Sequence, residues 1–407
     1  MIHMTMDKLK ILILTPCIPY PPDSGANHYM WKRIEHLHEK GHKLYIFAGR
    51  KREKDRRDYR VLESCCEKLT LYTNSFMNIL YRPFSPLYVA RNCTRKMKKD
   101  IAALVNRERI DLIICEFLFM VANIQPQLPV PVILSQHNLE HQRIGWMARS
   151  ERGLMKWLLL LESRRLRTFE ERLVRSQKIT AFSFISESDK ERFEDSYGRG
   201  NTFLLPAGFD VTDREPSEYT PGKIVFVGKM SYAPNIEAVK WFCRSIFTHI
   251  LAQSPDAQFF IIGRNPTREV LSLASDSIIV TGAVADISSL ITDAHLYVLP
   301  LKSGGGVKIK AIEAFATGNI VVSTDIGVEG TRFKPDVHFL LANDEGGFIE
   351  KCISVLKNRE KYVPLARNAV DCVREHHSWD KVLKIYDEHI TNIVTECENE
   401  KDHYSIT

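Results

Sequence analysis

The sequence predicts an α/β protein built from two doubly wound parallel-sheet domains facing a central cleft. Three observations carry this. Short runs of branched apolar residues recur along the chain, separated by segments with helical apolar spacing. Glycines stand at the carboxyl ends of several runs, as in sheets whose loops bind ligands. The alternation stops over Asp210 to Gly222, which carries Pro216, Pro221 and several charges, and then restarts. A chain of 407 residues also exceeds what one hydrophobic core usually serves. The pattern places one domain at 1–209 and a second at 210–378. A helix and charged tail at 379–407 are expected to pack back towards the first domain.

Lys10–Thr15 reads as a buried parallel strand, and the proline-bearing stretch from Pro16 to Gly25 as a loop. Met30, Trp31, Ile34 and Leu37 give Asn27–Lys40 a helical period, and Gly41 ends it. Lys43–Phe47 completes a βαβ unit. Ile110–Cys115, Val130–Ser135 and Ile179–Phe184 are further strands. Residues 143–176 form a long basic helical stretch, and Ser186–Asp189 can cap a helix. In the second half, strands fall at Lys223–Gly228, Ala257–Gly263, Ser277–Gly282, Ala294–Pro300 and Asn319–Thr324. Helices fall at Asn235–Ile246 and Lys308–Thr317. A last helix spans Trp379–Val394, ahead of a mobile charged end.

Composition narrows the setting. Apolar residues make up 44% and charged residues 26%, which suits a soluble globular protein. Nine cysteines, an odd number without CxxC spacing, suggest reduced thiols and a cytoplasmic compartment. The polar start lacks a signal-peptide core, and no run reaches the ~18 apolar residues of a membrane span. Charge is uneven. Residues 1–200 hold 35 Lys/Arg against 23 Asp/Glu, and the rest hold 21 against 27. Arg143–Arg175 adds Trp146, Trp157 and several leucines to its cations. It could lie on an anionic membrane, or be a solvated helix packed on its own domain. No nucleic-acid motif accompanies the charge.

The densest chemical signal is Pro300–Gly318. A strand feeds Gly304, Gly305 and Gly306, which open a helix bearing Lys308, Lys310 and Glu313. Bare backbone N–H groups at a helix start make an anion site. With two cations and a carboxylate, the segment suits a nucleoside diphosphate: phosphates on the loop, ribose on Glu313. A flexible turn with a solvated Glu fits the local residues about as well.

This segment resembles the signature of family 4 glycosyltransferases, retaining enzymes with the GT-B fold of two Rossmann-like domains. That signature has two glutamates separated by seven residues, the second followed by Ala and a small-x-Gly turn. Glu313-Ala314-Phe315-Ala316-Thr317-Gly318 matches its second half. Eight positions earlier stands Gly305, so the first glutamate, which normally contacts the donor sugar, is absent. The glycine-rich form resembles the branch associated with exopolysaccharide and cell-envelope clusters. Phe226–Asn235 resembles the same branch. The family places basic residues soon after the Gly228 position to clamp diphosphate. Lys229 holds the first such place and Pro234 the second, so Lys308 or Lys310 is expected to substitute. Gly25 matches the glycine of the first loop, which lets backbone approach the donor or acceptor.

His137, in the loop after Val130–Ser135, matches the family histidine that faces the donor sugar. His137 and His141 could alternatively pair on a metal, although Asn138 stands where HExxH has Glu and no third ligand is evident. A purely structural role for the histidines is also open. No Asp-x-Asp triplet occurs, so the resemblance implies a cation-independent site and no cofactor.

The reading is a glycosyltransferase that moves a sugar from a UDP- or GDP-linked donor to a glycan, lipid-linked or small-molecule acceptor, with retention. His137, Lys229 and Lys308 are the expected catalytic residues. Gly25, Gly228, Gly304, Gly305, Gly306, Lys310 and Glu313 are expected to bind donor. Cytoplasmic residence with peripheral association at the inner membrane surface is expected. A non-catalytic nucleotide- or glycan-binding member, or an epimerase or phosphorylase on the same fold, remains open.

Overall fold

The computed structural model describes residues 8–22, 24–50, 59–74, 77–80, 82, 84–126, 128–198, 200–213, 219–284, 286–304 and 308–405. The chain divides into two compact units. One comprises Met1–Pro206 with Leu383–Thr407, and the other Ala207–Val382.

The first unit holds a seven-stranded parallel sheet in the order β3-β2-β1-β4-β5-β6-β7. Its strands are β1 Lys10–Thr15, β2 Lys43–Arg50, β3 Lys68–Thr73, β4 Leu112–Glu116, β5 Val132–Gln136, β6 Ala181–Phe184 and β7 Thr202–Leu204. The principal helices are α1 Gly25–Glu39, α2 Arg95–Glu108, α3 Glu140–Ser150, α4 Gly153–Arg175 and α5 Glu187–Tyr197. A 3-10 turn, Leu118–Asn123, follows β4. The central strands are buried on both faces: Ile11, Leu12 and Leu14 of β1 and Leu112–Cys115 of β4 have no exposed surface. Full burial explains their unbroken apolar runs, and each such side chain contributes about 1.5–3 kcal/mol. Ser186 caps α5 as its type predicts, accepting from the Asp189 N–H at 3.2 Å.

The second unit holds a six-stranded parallel sheet in the order β10-β9-β8-β11-β12-β13. Its strands are β8 Lys223–Val227, β9 Gln258–Ile262, β10 Ile278–Gly282, β11 Leu296–Leu299, β12 Val321–Ser323 and β13 Leu340–Leu341. Helix α6 Ala233–Trp241 runs through a π turn, Phe242–Phe247, into α7 Thr248–Gln253. Then come α8 Ile309–Ala316, α9 Glu345–Lys357 and α10 Val363–His376. The last helix, α11 Trp379–Ser405, starts in this unit and from Leu383 on belongs to the first.

Three details differ from the sequence reading. The basic stretch over 143–176 is two helices, α3 and α4, because Glu151 and Arg152 are extended between them. The last helix continues past Val394 to Ser405, through Glu and Lys residues that favour helix. Strands β3, β7 and β13 are not predicted by the sequence pattern. Two are only two or three residues long, and β3 is largely half-exposed and so lacks an apolar run.

In both sheets the strand order reverses once, between β1 and β4 and between β8 and β11. Loops beyond the carboxyl ends of those strands are where such sheets bind ligands.

Candidate active site

The reversal point of the second sheet gathers most of the expected donor residues. Gly228 follows β8 and lies against β9, its N–H donating to the Ile262 carbonyl at 3.0 Å. Gly263 adopts φ +148, a backbone state that favours glycine, and a Cβ there would sit 1.8 Å from the Gly228 carbonyl oxygen. A Cβ on Gly228 would reach within 2.6 Å of the Asn235 amide. The two loops therefore approach as closely as glycine allows. The Asn235 amide then ties them to α8: its Nδ2 donates to the Lys229 carbonyl at 3.0 Å, and its Oδ1 accepts from Lys310 Nζ at 2.5 Å.

Beyond β11, Gly304 adopts φ +110, a backbone state that favours glycine. Gly305 and Gly306 lie outside the described residues. Lys308 is the N-cap of α8 and is buried. Its Nζ donates to the Gly304 carbonyl at 2.9 Å and approaches Glu329 Oε2 at 3.3 Å, so the amine braces the stem of the glycine loop. Lys310 and Glu313 follow on the first turns of α8, and the Lys310 ammonium also faces the Phe226 ring at 4.9 Å. Lys229 is exposed, with no side-chain partner among the described residues.

Electrostatics sharpen the picture. Burial lowers the Lys310 pKa to about 7, and Lys308 pushes the same way while Glu313 opposes. Burial lowers that of Lys308 too, against the pull of Glu329. Burial raises that of Glu313, with Lys310 opposing. Two half-desolvated lysines beside a glycine loop make a place where an anion would restore full charge.

The first unit presents a different constellation at its own reversal point. Glu116 ends β4 and is almost wholly buried. Its Oε1 accepts from Arg33 Nη2 at 2.6 Å and its Oε2 meets His137 Nε2 at 2.9 Å. Arg33 comes from the buried face of α1, donates to Ser135 Oγ at 3.1 Å and lies over the Tyr29 ring at 4.1 Å. Phe117, in the left-handed region at φ +68, stacks its ring on His137 with centroids 3.9 Å apart. A bulky residue at positive φ stores roughly 1–3 kcal/mol of strain and marks a position held by its surroundings.

Burial, with Arg33 acting the same way, lowers the His137 pKa against the pull of Glu116, so the imidazole is neutral near pH 7. Burial acts to raise the Glu116 pKa, and Arg33 and His137 together outweigh it, holding the carboxylate below its usual range. A carboxylate only accepts, so His137 donates from Nε2 and keeps Nδ1 as an acceptor. His141 turns elsewhere, its Nδ1 2.5 Å from Glu170 Oε2, so the two histidines serve separate carboxylates. Among the described residues no group of three or more His, Cys, Asp or Glu could hold a metal ion. Gly25 begins α1 behind the Ser24 cap, and a Cβ there would meet nothing within 4 Å.

Sequence reasoning missed Arg33, Glu116 and Asn235. A carboxylate closing the apolar run Leu112-Ile113-Ile114-Cys115 was a usable signal. So was an arginine in step with Met30, Ile34 and Leu37 on the buried face of a helix.

The profile of Glycosyltransferase Family 4 matches residues 24–213, and that of Glycosyl transferases group 1 matches residues 221–358. The chain belongs to the family 4 glycosyltransferases. A 44.6 kDa protein from the cps region of Klebsiella pneumoniae is 23% identical over 394 residues, spanning 92% of this chain and 98% of that protein. Among solved structures, a glycosyltransferase from Rickettsia africae superposes with a TM-score of 0.67 at 11% identity, covering 96% of this chain and 99% of its own. HepE of Anabaena in complex with UDP-glucose gives 0.58 at 13% identity, covering 94% and 100%. At such identities the structures establish the fold, which is that of the GT-B glycosyltransferases. For this family 4 glycosyltransferase, no helix among the described residues is long and apolar enough to cross a membrane.

Proposed function

We propose that this glycosyltransferase moves a sugar from a UDP- or GDP-linked donor to a glycan or lipid-linked acceptor, with retention of anomeric configuration. The observation that carries the donor assignment is the gathering of Gly228, Lys229, Gly304, Lys310 and Glu313 at the reversal point of the second sheet. Lys229 and Lys310 hold the diphosphate. Lys308 shapes the glycine loop and adds positive charge behind it. Glu313 accepts the ribose hydroxyls. His137, with Nδ1 as acceptor, takes a hydroxyl of the donor sugar, and the open space at Gly25 admits donor or acceptor. The resemblance of the glycine-rich segment to exopolysaccharide enzymes, and the cps-region relative, favour a polysaccharide product.

In the reaction the bond from the anomeric carbon to the diphosphate oxygen breaks. The acceptor oxygen bonds to that carbon on the same face, and its proton passes to the departing diphosphate. Fixed cations and loop N–H groups stabilise the negative charge that develops. The sequence lacks Asp-x-Asp and supplies lysines instead, so transfer proceeds without a divalent cation.

Incubation with UDP-, GDP- and ADP-sugars, with and without glycan or lipid-linked acceptors, tests this by proton NMR of the anomeric signal. One donor should be consumed in an acceptor-dependent way, giving the donor's own anomer, and EDTA should leave the rate unchanged. An inverted anomer would overturn retention. Loss of activity in EDTA with rescue by magnesium would overturn the metal-free site.

The cationic first half also supports peripheral association with an anionic membrane surface. A basic residue near such a surface contributes about 1 kcal/mol, fading within a Debye length. Co-sedimentation with anionic but not neutral vesicles, reversed by salt, is the expected result. Equal recovery on both would remove it.

A further inference from the structure

Away from the loops described above, the first unit contains a cavity of about 530 Å³ between the 3-10 turn Leu118–Asn123, α2 and α4. That size falls within the range of roughly 300–1,000 Å³ typical of small-molecule sites. Four cations line it: Arg82, Lys98, Arg172 and Lys178. No carboxylate does. Among the described residues none of the four forms an ion pair. Val121, Ile124, Phe169 and Leu173 supply apolar walls.

Lys178 is built into the wall. Its Nζ donates to the Val121 carbonyl at 3.1 Å and to the Ile124 carbonyl. Burial first, and Lys98 and Arg82 as nearby like charges, bring its pKa down to about 8. Cations held close together in an apolar recess repel one another and lose hydration, and an anion among them relieves both penalties.

The recess continues into a groove of about 270 Å³ that shares Phe84, Phe169 and Arg172 and adds Arg164 and Arg165. Along α4, residues Leu154, Leu158, Leu161, Arg165, Thr168 and Arg172 follow one another at steps of four and three, so they share a face. The N-terminal part of that face is apolar and open: Leu154 is 75% exposed, and the adjacent Trp157 71%. One helix face thus runs from exposed apolar side chains to a cationic recess.

We infer that this recess is a phosphate-binding site, separate from the donor loops, which takes a phosphate group carried on an apolar chain. The guanidinium of Arg172 and the ammonium groups of Lys98 and Lys178 pair with the phosphate oxygens. The chain lies along the Leu154–Leu161 face. The site depends neither on the donor assignment nor on general attraction to an anionic surface, because it needs a phosphate group at these particular side chains.

The test is calorimetric titration of the full-length protein with three probes. These are dihexanoyl phosphatidic acid kept below its micelle concentration, inorganic phosphate, and dihexanoyl phosphatidylcholine. Phosphatidic acid should bind at least tenfold more tightly than inorganic phosphate, and phosphatidylcholine should not bind detectably. Lys98→Gln with Arg172→Gln should weaken phosphatidic acid binding at least tenfold. The double variant should keep its melting temperature and the nucleotide-sugar binding that the wild type shows, since both side chains reach solvent. Equal affinity for phosphatidic acid and inorganic phosphate, both lost in the double variant, would keep the phosphate site and assign it to a soluble phosphate. Failure of both probes to bind, or binding that the double variant leaves intact, would overturn the site.

Discussion

Lys310 is held where its charge is hard to keep, with a pKa near 7 set by burial and by Lys308. A diphosphate beside it raises that pKa, so binding above pH 7 must take up a proton. Affinity for the nucleotide-sugar donor should therefore be highest below pH 7. It should weaken by up to about tenfold per pH unit above 7, until the pKa of the complex is reached. Lys310→Met should bind more weakly at pH 6 and lose the dependence. Titrations between pH 6 and 9 check this, and an equally steep profile in the variant would assign the proton to another group. Glu116 makes the complementary case in the first unit. Replacing it by Gln leaves Arg33 buried without its counter-charge, a change that typically costs about 3–5 kcal/mol. The denaturation midpoint of the first unit should fall accordingly. A loss below about 1 kcal/mol would mean that Tyr29, Ser135 and Tyr386 already satisfy the guanidinium.

At the scale of elements, the crossing of the β8 and β9 loops fixes where Asn235 and Lys310 can meet. It works only because two glycines touch. Gly263→Ala would place a Cβ 1.8 Å from the Gly228 carbonyl oxygen, at a backbone angle that alanine rarely adopts. The cost should be on the order of 3 kcal/mol, with loss of nucleotide-sugar binding in any protein that still folds. Thermal denaturation of the variant checks the first part, and an unchanged melting temperature would show that the loops can separate freely. The same elements show what the sequence could reveal. Central strands such as Leu112–Glu116 and Lys223–Val227 are buried on both faces and so read as apolar runs. Edge strand Lys68–Thr73 mixes polar and apolar side chains on a partly exposed surface and left no such mark. In the site, Glu313 and the glycines were legible because they sit in one contiguous segment. His137 was readable by itself, but not its partners: Arg33, Glu116 and His137 lie far apart in the chain, and only the β1–β4–β5 arrangement brings them together.

Over the whole molecule, two parallel sheets each carry a reversal point, and each point is furnished differently. The first has a buried Arg–Glu–His chain under an aromatic stack, and the second has glycine loops with lysines and a carboxylate. The charge follows the same division, basic over residues 1–200 and acidic beyond. The donor's anionic diphosphate is nevertheless assigned to the acidic half, so its recognition rests on a few placed lysines and backbone N–H groups rather than on net charge. Calorimetric titration of UDP-, GDP- and ADP-sugars into the wild-type protein and into Glu313→Ala tests where the diphosphate and ribose are held. One nucleotide sugar should bind the wild type. The variant, with an unchanged melting temperature, should bind it about 10- to 100-fold more weakly, as expected for losing hydrogen bonds to a charged acceptor worth roughly 1.5–3 kcal/mol. Binding of no nucleotide sugar by the wild type, or equal affinity in a folded Glu313→Ala protein, would contradict that placement.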